Sequence, residues 1–464
     1  MAEEGSQQDE NESNRQIVEE FCKPFVLNEE TCQQINDLFL AELQKGLCKY
    51  TQSKADVKCY PTYVERLPTR CERGKFLALD VGGSNFRILL LIIQDVDDIK
   101  VESQNFQLPP KVLTGPGEHL FEFFAECMSN FIQAHELQSE EFNLGFTFSF
   151  PLMKNSLNEG ILISWSKDFE CQDVVGHDVV AMLEAALSRR DNIHIKNIFV
   201  LNGTTATLIS CAWKHKETKI GVTIDQDTNA AYEEKMKHIQ LFNEDRLNST
   251  MLINTQWSSF GDHGALNFMR SPIDFALDAS STNPNEAIFD KMVAGMYMGE
   301  IVRLTMIECI NAGAMLKGNL SEQIGKQMVF NTKLMSQIEN EKEGAYQSTR
   351  QILETMGYKE ATNEDCDNLR YICNTVSTRS AELIAICLAC LVNRIGDPYI
   401  VIGIDGEVYN SYPNYHERLR KKTKQLVRPE HKFSLQSTED GSAHGAALLA
   451  ATEGVERRHT RQTI

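Results

Sequence analysis

Phe76–Leu91, FLALDVGGSNFRILLL, is the stretch that decides the fold. Two apolar, β-rich runs flank a turn carrying Asp80, Gly82, Gly83, Ser84 and Asn85, so it reads as strand, phosphate-wrapping turn and second strand. Glycines at 82 and 83 can take positive φ and present main-chain N–H groups to an anion. Asp80 supplies an oxygen at the mouth, where a hydrated metal carried by a nucleotide could sit. An ordinary hairpin turn without a ligand has the same pattern. A dinucleotide fingerprint fits less well, because its turn opens a helix whereas FRILLL continues as strand.

Working outward, 464 residues with 42% apolar and 24% charged side chains are enough for more than one core. No run approaches the roughly 20 apolar residues that span a bilayer. The first residues, MAEEGSQQDENESNR, are acidic and polar where a signal or transit peptide is basic or apolar, and read as disordered. The expectation is a cytoplasmic protein, with a monomer favoured. A net charge of −19 disfavours nucleic acid and anionic membranes as partners. The one basic run, Arg418 to Lys424, carries Leu419 and is followed by Leu426 and Val427, which suits the solvated face of a helix. Thirteen cysteines without regular spacing or a secretion signal predict reduced thiols. Cys387 and Cys390 form a CxxC inside AELIAICLACLV, which reads as a buried helix, not a metal or redox pair.

Along the chain, Asn14 to Lys49 has apolar residues at helical spacing and predicts two helices. From Phe76 to Phe150 the strand pair is followed by VESQNFQL as strand, GEHLFEFFAECMSNFIQAH as helix and FNLGFTFSFP as strand, an α/β layer. Ser149 precedes Phe150-Pro151, where proline ends the ladder and a polar side chain can face a cleft. IFVLNGTTATLISCAW and KIGVTIDQDTNAAYEEK repeat the layout with a second turn. Two such halves suggest a duplicated fold with ligands in the cleft between lobes. NPNEAIFDKMVAGMYMGEIVRLTMIECI predicts a helix with Asn283 as N-cap, Pro284 at N1 and Glu286 at N3, with Phe289, Met292, Val293 and Met296 as core. DPYIVIGIDGEVY gives strand and turn, and STEDGSAHGAALLAA a glycine-rich loop into a helix whose N-terminus favours anions.

LDVGGSNFR, FTFSFP, SWSKDF, LNGTTATL, DTNAAYEE, INTQWSSFGDHGAL, NPNEAIFDKMVAGMYMGEIVR, IGIDGEVY and STEDGSAHGAALLAA, in this order, resemble the successive motifs of the hexokinases, over nearly everything from about Glu20 to Ala451. The resemblance implies a single hexokinase unit with an α/β, two-lobed, actin-like ATPase (ribonuclease H-like) fold and an active site in the interlobe cleft. It implies closure over ATP, Mg²⁺ and a glucose-like hexose, and transfer of the γ-phosphoryl group to the 6-hydroxyl. The implied layout is a disordered stretch 1–19, a domain 20–454 with helical lead-in 20–72, small lobe 73–202, large lobe 203–443 and C-terminal helix 444–454, then a polar tail 455–464. Ser149, Ser166, Lys167, Asn202 and Asn229 match sugar-contacting positions. Asp80, Gly82, Gly83, Ser84, Asn85, Arg87, Thr228, Asp405, Gly406, Gly441, Ser442 and Gly445 match the nucleotide side, with Asp80 facing the ATP-bound Mg²⁺ and His444 where many members carry lysine.

Against the family pattern the chain departs at three places. Hexokinases place a general base in V-N-D-T; here Leu201-Asn202-Gly203-Thr204 has no carboxylate, and a positioned base contributes about 10² to 10⁴ in rate. The family's sugar-binding glutamates are Gln256 and Asp290, one without the charge and one shorter by a methylene. The second phosphate turn, G-T-G-T-N in the family, is Asp225-Gln226-Asp227-Thr228-Asn229, which adds two Cβ atoms and two negative charges near a phosphate. The resemblance therefore implies impaired phosphotransfer with a hexose or nucleotide site partly kept. The alternatives are a working phosphotransferase with Asp225 or Asp227 as its base, and a non-catalytic sugar or nucleotide sensor.

Overall fold

The structure, a computed structural model, describes residues 13–83, 85–165, 169–242, 249–438 and 440–460. Two sheets organise it. A five-stranded sheet runs in the order Asp98–Gln107, Asn85–Asp95, Gly74–Val81, Glu141–Phe148, His194–Leu201, and a six-stranded sheet in the order Tyr60–Pro61, Thr250–Asn254, Thr228–Lys235, Thr218–Ile224, Tyr399–Asp405, Lys432–Ser437. The polar outer strand DIKVESQNFQ stays mostly exposed, as suits a sheet edge, while GKFLALDV and EFNLGFTF are buried centrally. Leu120, Phe121, Phe124, Met128 and Phe131 recur on one face of the helix Gly117–Ala134 and pack on Leu77, Leu79, Ile88, Leu144 and Phe146.

Small residues fill the space between the sheets. The helix Gly203–Lys214 and the helix Gly441–Thr460 lie there with Ala206, Ala443, Ala446, Ala447 and Ala450 against Ala78, Phe199, Ala231 and Leu252. A Cβ on Gly145 would collide with the Ala446 carbonyl, and one on Gly445 with the Ala206 carbonyl, so glycine sets how closely helix and strand approach. The C-terminal helix runs to Thr460, past the expected boundary at 454 and into the stretch assigned to a polar tail. Helical structure also begins by residue 13, inside the stretch expected to be disordered: Arg15 lies 3.9 Å from the Tyr371 ring centroid and donates to Asn368. Residues 1–12 lie outside the described residues.

Two expectations fail on packing. The 33-residue helix Asn363–Ile395 has an 18-residue window of mean hydropathy 1.6, long and apolar enough by composition to cross a membrane, where no such run was expected; 89% of that window is buried in the core. It holds Cys387 and Cys390, both buried. The helix expected from Asn283 instead starts at Ile288. Asn285 and Ala287 take left-handed φ of 64° and 53°, and the Ala287 and Ile288 N–H groups donate to the Asp262 carboxylate at 3.2 and 2.9 Å, which replaces the Asn283 cap. The chain breaks again at Ala294, giving Ile288–Val293 and Gly295–Asn311, and Met296 is 51% exposed, not core.

Candidate active site between the sheets

Sheet register builds the first turn. Asp80 pairs with Arg87 on the antiparallel neighbour and with Thr147 on the parallel one, so the Thr147 hydroxyl donates to its carboxylate. Ser442, at the start of the C-terminal helix, donates its hydroxyl to the same Asp80 oxygen at 2.6 Å. A Cβ on Gly82 or Gly83 would meet nothing within 4 Å, so the turn is open there, and neither glycine takes the positive φ available to it. Asn85 is exposed at the start of its strand, and Arg87 is committed elsewhere, to Asp440 as an ion pair and to Asn105 at 2.9 Å.

Gly203 stands beside this turn. The strand His194–Leu201 ends, Asn202 takes extended backbone, and Gly203 is the first residue of the helix. A Cβ there would lie 3.2 Å from Ser149 Oγ and 3.3 Å from Ser442 Oγ, two hydroxyls that can rotate. Ser149 is fixed by its N–H, which donates to the Val81 carbonyl at 3.0 Å. Ser149, Asn202, Gly203, Ser442 and Asp80 thus meet at one place. Ser84, Ser166 and Lys167 lie outside the described residues.

Asn229 and Gln256 also come together. Asn229 Oδ1 accepts from the Gln256 N–H at 3.1 Å, and Asn229 Nδ2 donates to Asn254 Oδ1 at 2.7 Å. Gln256 takes left-handed φ of 53°, an unfavourable conformation for a non-glycine residue of the kind that gathers at ligand sites. Asp290 and Thr228, assigned from sequence to sugar and nucleotide, are bonded to each other: Asp290 Oδ1 accepts from the Thr228 N–H at 3.2 Å and hydroxyl at 2.6 Å. Trp257 Nε1 donates to that hydroxyl at 3.1 Å. Thr228 is 2% and Asp290 6% exposed, so this hydroxyl braces the turn and is already taken.

The second turn is built into the protein. The Asp225 carbonyl accepts from the Gly295 N–H at 2.8 Å and the Gln226 carbonyl from the Met296 N–H at 3.2 Å. None of residues 225–227 has positive φ, so Asp225 and Asp227 sit in this turn without backbone strain, and what they bring to it is charge. Burial first, then Asp227 and Glu407, push the Asp225 carboxyl upward. Sequence reasoning missed Met296, an exposed neighbour of this turn; its place at a helix start, after Gly295, was the available signal.

Asp405 ties two glycine loops, accepting from the Gly406 N–H at 2.8 Å and the Gly441 N–H at 2.9 Å, and burial raises its pKa to about 6. Gly406 has φ of 122°, where a Cβ would strike the Ile224 carbonyl. Gly445 lies a turn further into the helix and serves helix packing, not a phosphate. Among the described residues no group of three or more His, Cys, Asp or Glu could hold a metal ion.

Models of two hexokinase domains match residues 17–213 and 219–452. The chain belongs to the hexokinase family. It is 38% identical over 95% of its length to hexokinase-2 of Homo sapiens and 35% identical over 94% to hexokinase-1 of Homo sapiens, and spans about half the length of these curated relatives. A hexokinase from Schistosoma mansoni complexed with glucose superposes with a TM-score of 0.89 at 31% identity, over 95% of this chain and 99% of that one. A second hexokinase crystal structure superposes with a TM-score of 0.81 at 27% identity, over 95% of this chain and all of that one. The fold is the two-lobed, actin-like ATPase type of these hexokinases.

Proposed function

We propose that this chain is a hexose-binding hexokinase-family protein in which ATP-dependent phosphorylation of the sugar's 6-hydroxyl is strongly reduced. In that transfer the 6-oxygen bonds to the γ-phosphorus, the β–γ bridge breaks to leave ADP, and the hydroxyl proton passes to a base. Gly203 carries the reading: the position that holds the base in the resemblance has no side chain, yet its neighbours Ser149, Asn202 and Ser442 remain around it. The open glycine turn and Asp80 suit the phosphates of ATP with its Mg²⁺, whereas Asp225 and Asp227 oppose them. Gln256, whose side-chain amide makes only contacts of 3.4 and 3.5 Å, offers a neutral hydrogen-bonding group to a hexose, whereas the Asn229 amide is bonded to Asn254, to the Ala230 N–H and to the Gln256 N–H.

A second reading, a slow phosphotransferase with another base, is favoured by one contact. Ser442 Oγ, 3.3 Å from where a Cβ at 203 would stand, donates to Asp80, so one hydroxyl joins that carboxylate to the base position. The test is a coupled glucose 6-phosphate assay on purified protein beside calorimetry with glucose. Binding at roughly millimolar affinity with turnover at least about a thousandfold below the common ~10 s⁻¹ supports the first reading. A slow rate lost in Ser442→Ala supports the second, and ordinary turnover contradicts the proposal.

A further inference from the structure

The hairpin Leu152–Ser156 and Glu159–Leu162 lies along the outer edge of the five-stranded sheet. It covers the polar groups of the edge strand His194–Leu201: the Val200 N–H donates to the Leu157 carbonyl at 2.9 Å and Asn158 Nδ2 donates to the Ile198 carbonyl. Lys154 sits in this hairpin. The residue is half-buried, and its ammonium donates to the Thr62 carbonyl at 3.0 Å and to the Val200 carbonyl at 2.5 Å. Desolvation opposes that orientation, and burial lowers its pKa to about 7. Other inward-facing cations, Arg379, Lys291 and Arg303, meet the carboxylates of Asp274, Asp278 and Glu300, whereas Lys154 meets two main-chain carbonyls.

Those carbonyls lie beside two different crossings of the chain between the sheets, Thr62 directly after the strand Tyr60–Pro61 and Val200 next to the end of the edge strand His194–Leu201. Tyr60–Pro61 pairs with Asn254 and Ile253 of the six-stranded sheet, Thr62 is fixed to Leu252 by its N–H at 3.2 Å and hydroxyl at 2.7 Å, and the chain then crosses to the strand Gly74–Val81. Val200 precedes Leu201-Asn202-Gly203, where the chain crosses back through the helix Gly203–Lys214 to the strand Thr218–Ile224. Capping an edge carbonyl would require the Val200 bond alone. The Thr62 bond adds a tie to the other sheet.

We propose that Lys154 is a positioning residue that staples together the two chain segments from which these crossings start, and so fixes where Asn202 and Gly203 stand relative to the six-stranded sheet. Its ligand consequence rests on the hexose-site reading above; its mechanical consequence does not. Lys154→Met keeps the stem and removes both donors. The measurement is hydrogen exchange on the full chain, with glucose calorimetry on the same samples. In Lys154→Met, amides at 62–66 and at 199–203 exchange faster together, by about tenfold, and glucose Kd rises about tenfold, while Lys154→Arg, which keeps donors, stays closer to the native chain. If Lys154→Met does not fold, Lys154→Gln, with one amide donor, carries the same criterion. Faster exchange confined to the hairpin, or to one crossing only, overturns the staple. Native protein that does not bind glucose overturns the hexose-site reading while leaving the exchange result to decide the staple by itself.

Discussion

The turn after Val81 and the turn after Ile224 close similar strand pairs, one on each sheet, yet one is open to a ligand and the other is charged and docked. At Gly82 and Gly83 a side chain would enter empty space, and the nearby carboxylate of Asp80 is held by Thr147 and Ser442. At 225–227 the main chain is bonded to the start of the helix Gly295–Asn311, and two aspartates stand where the resemblance implies glycine. Because no residue of the second turn needs positive φ, the fold tolerates the substitutions at no backbone strain. On the proposed reading scaffold and chemistry have separated: the elements that would place a nucleotide and a sugar persist, while Gly203, Asp225, Asp227, Gln256 and Asp290 depart from the pattern that the resemblance implies.

The largest effect expected from breaking this contrast is on catalysis. Gly203→Asp alone leaves the second turn's charges acting on ATP and gives little gain in kcat/KM for glucose. With Asp225→Gly, Asp227→Gly, Gln256→Glu and Asp290→Glu added, the gain exceeds the product of the separate gains and reaches about 10² to 10⁴, because groups acting as a unit are not additive. Full recovery from Gly203→Asp by itself would show the second turn to be harmless.

Next in size is a reversal of sign between the turns. Removing one negative charge by Asp80→Asn weakens binding of a non-hydrolysable ATP analogue with Mg²⁺, whereas Asp225→Asn with Asp227→Asn tightens it, each by about tenfold, well inside the ~4 kcal/mol upper guide for a charge pair at 4 Å and an effective dielectric near 20. Calorimetry reads both, and equal signs would erase the distinction drawn here.

A smaller effect concerns pH. Asp405 titrates at about 6 and Asp225 is also raised, both chiefly by burial, while an unfolded aspartate titrates near 3.9. Between about 4 and 6 the folded chain therefore holds protons that the unfolded chain has released, so the stability these groups contribute is present at acid pH and is lost as pH rises through that window. Between pH 4 and 6.5, Tm of Asp405→Asn should fall less than that of the native chain, by about a few degrees. Parallel profiles would contradict the burial argument.

The smallest is the effect of Gly203→Asp on stability. An aspartate at the first turn suits the helix N-terminus and removes a glycine, but crowds Ser149 and Ser442 by a few tenths of an ångström, so thermal unfolding should move by no more than about 2 °C. A large loss would mean that the protein has closed over the position.

Most of this was legible where a residue type has few other uses. The turn between two strands at Asp80 and the strand end near Ser149 follow from residue type, although Gly82 and Gly83 do not use the positive φ open to them, and the α/β order follows from apolar periodicity. What sequence did not show was which polar group a side chain had already taken. Thr228 and Asp290 are spaced like separate ligand contacts but bond each other; Gly445 falls in a glycine-rich loop motif but lets two helices pack closely; Met296 keeps helical spacing with core residues but follows a break at Ala294 that exposes it. The start at Ile288 depends on Asp262, distant in sequence, and the strand Lys432–Ser437 shows too little apolar alternation to stand out.

The most direct measurement is the steady-state rate of glucose 6-phosphate formation by the purified native chain, at saturating ATP with Mg²⁺ and tens of millimolar glucose, with Asp80→Ala as control. A rate at least about a thousandfold below ~10 s⁻¹ is the expected result. An ordinary rate, abolished in Asp80→Ala, would show that a base other than residue 203 serves the site and would contradict the separation of scaffold from chemistry.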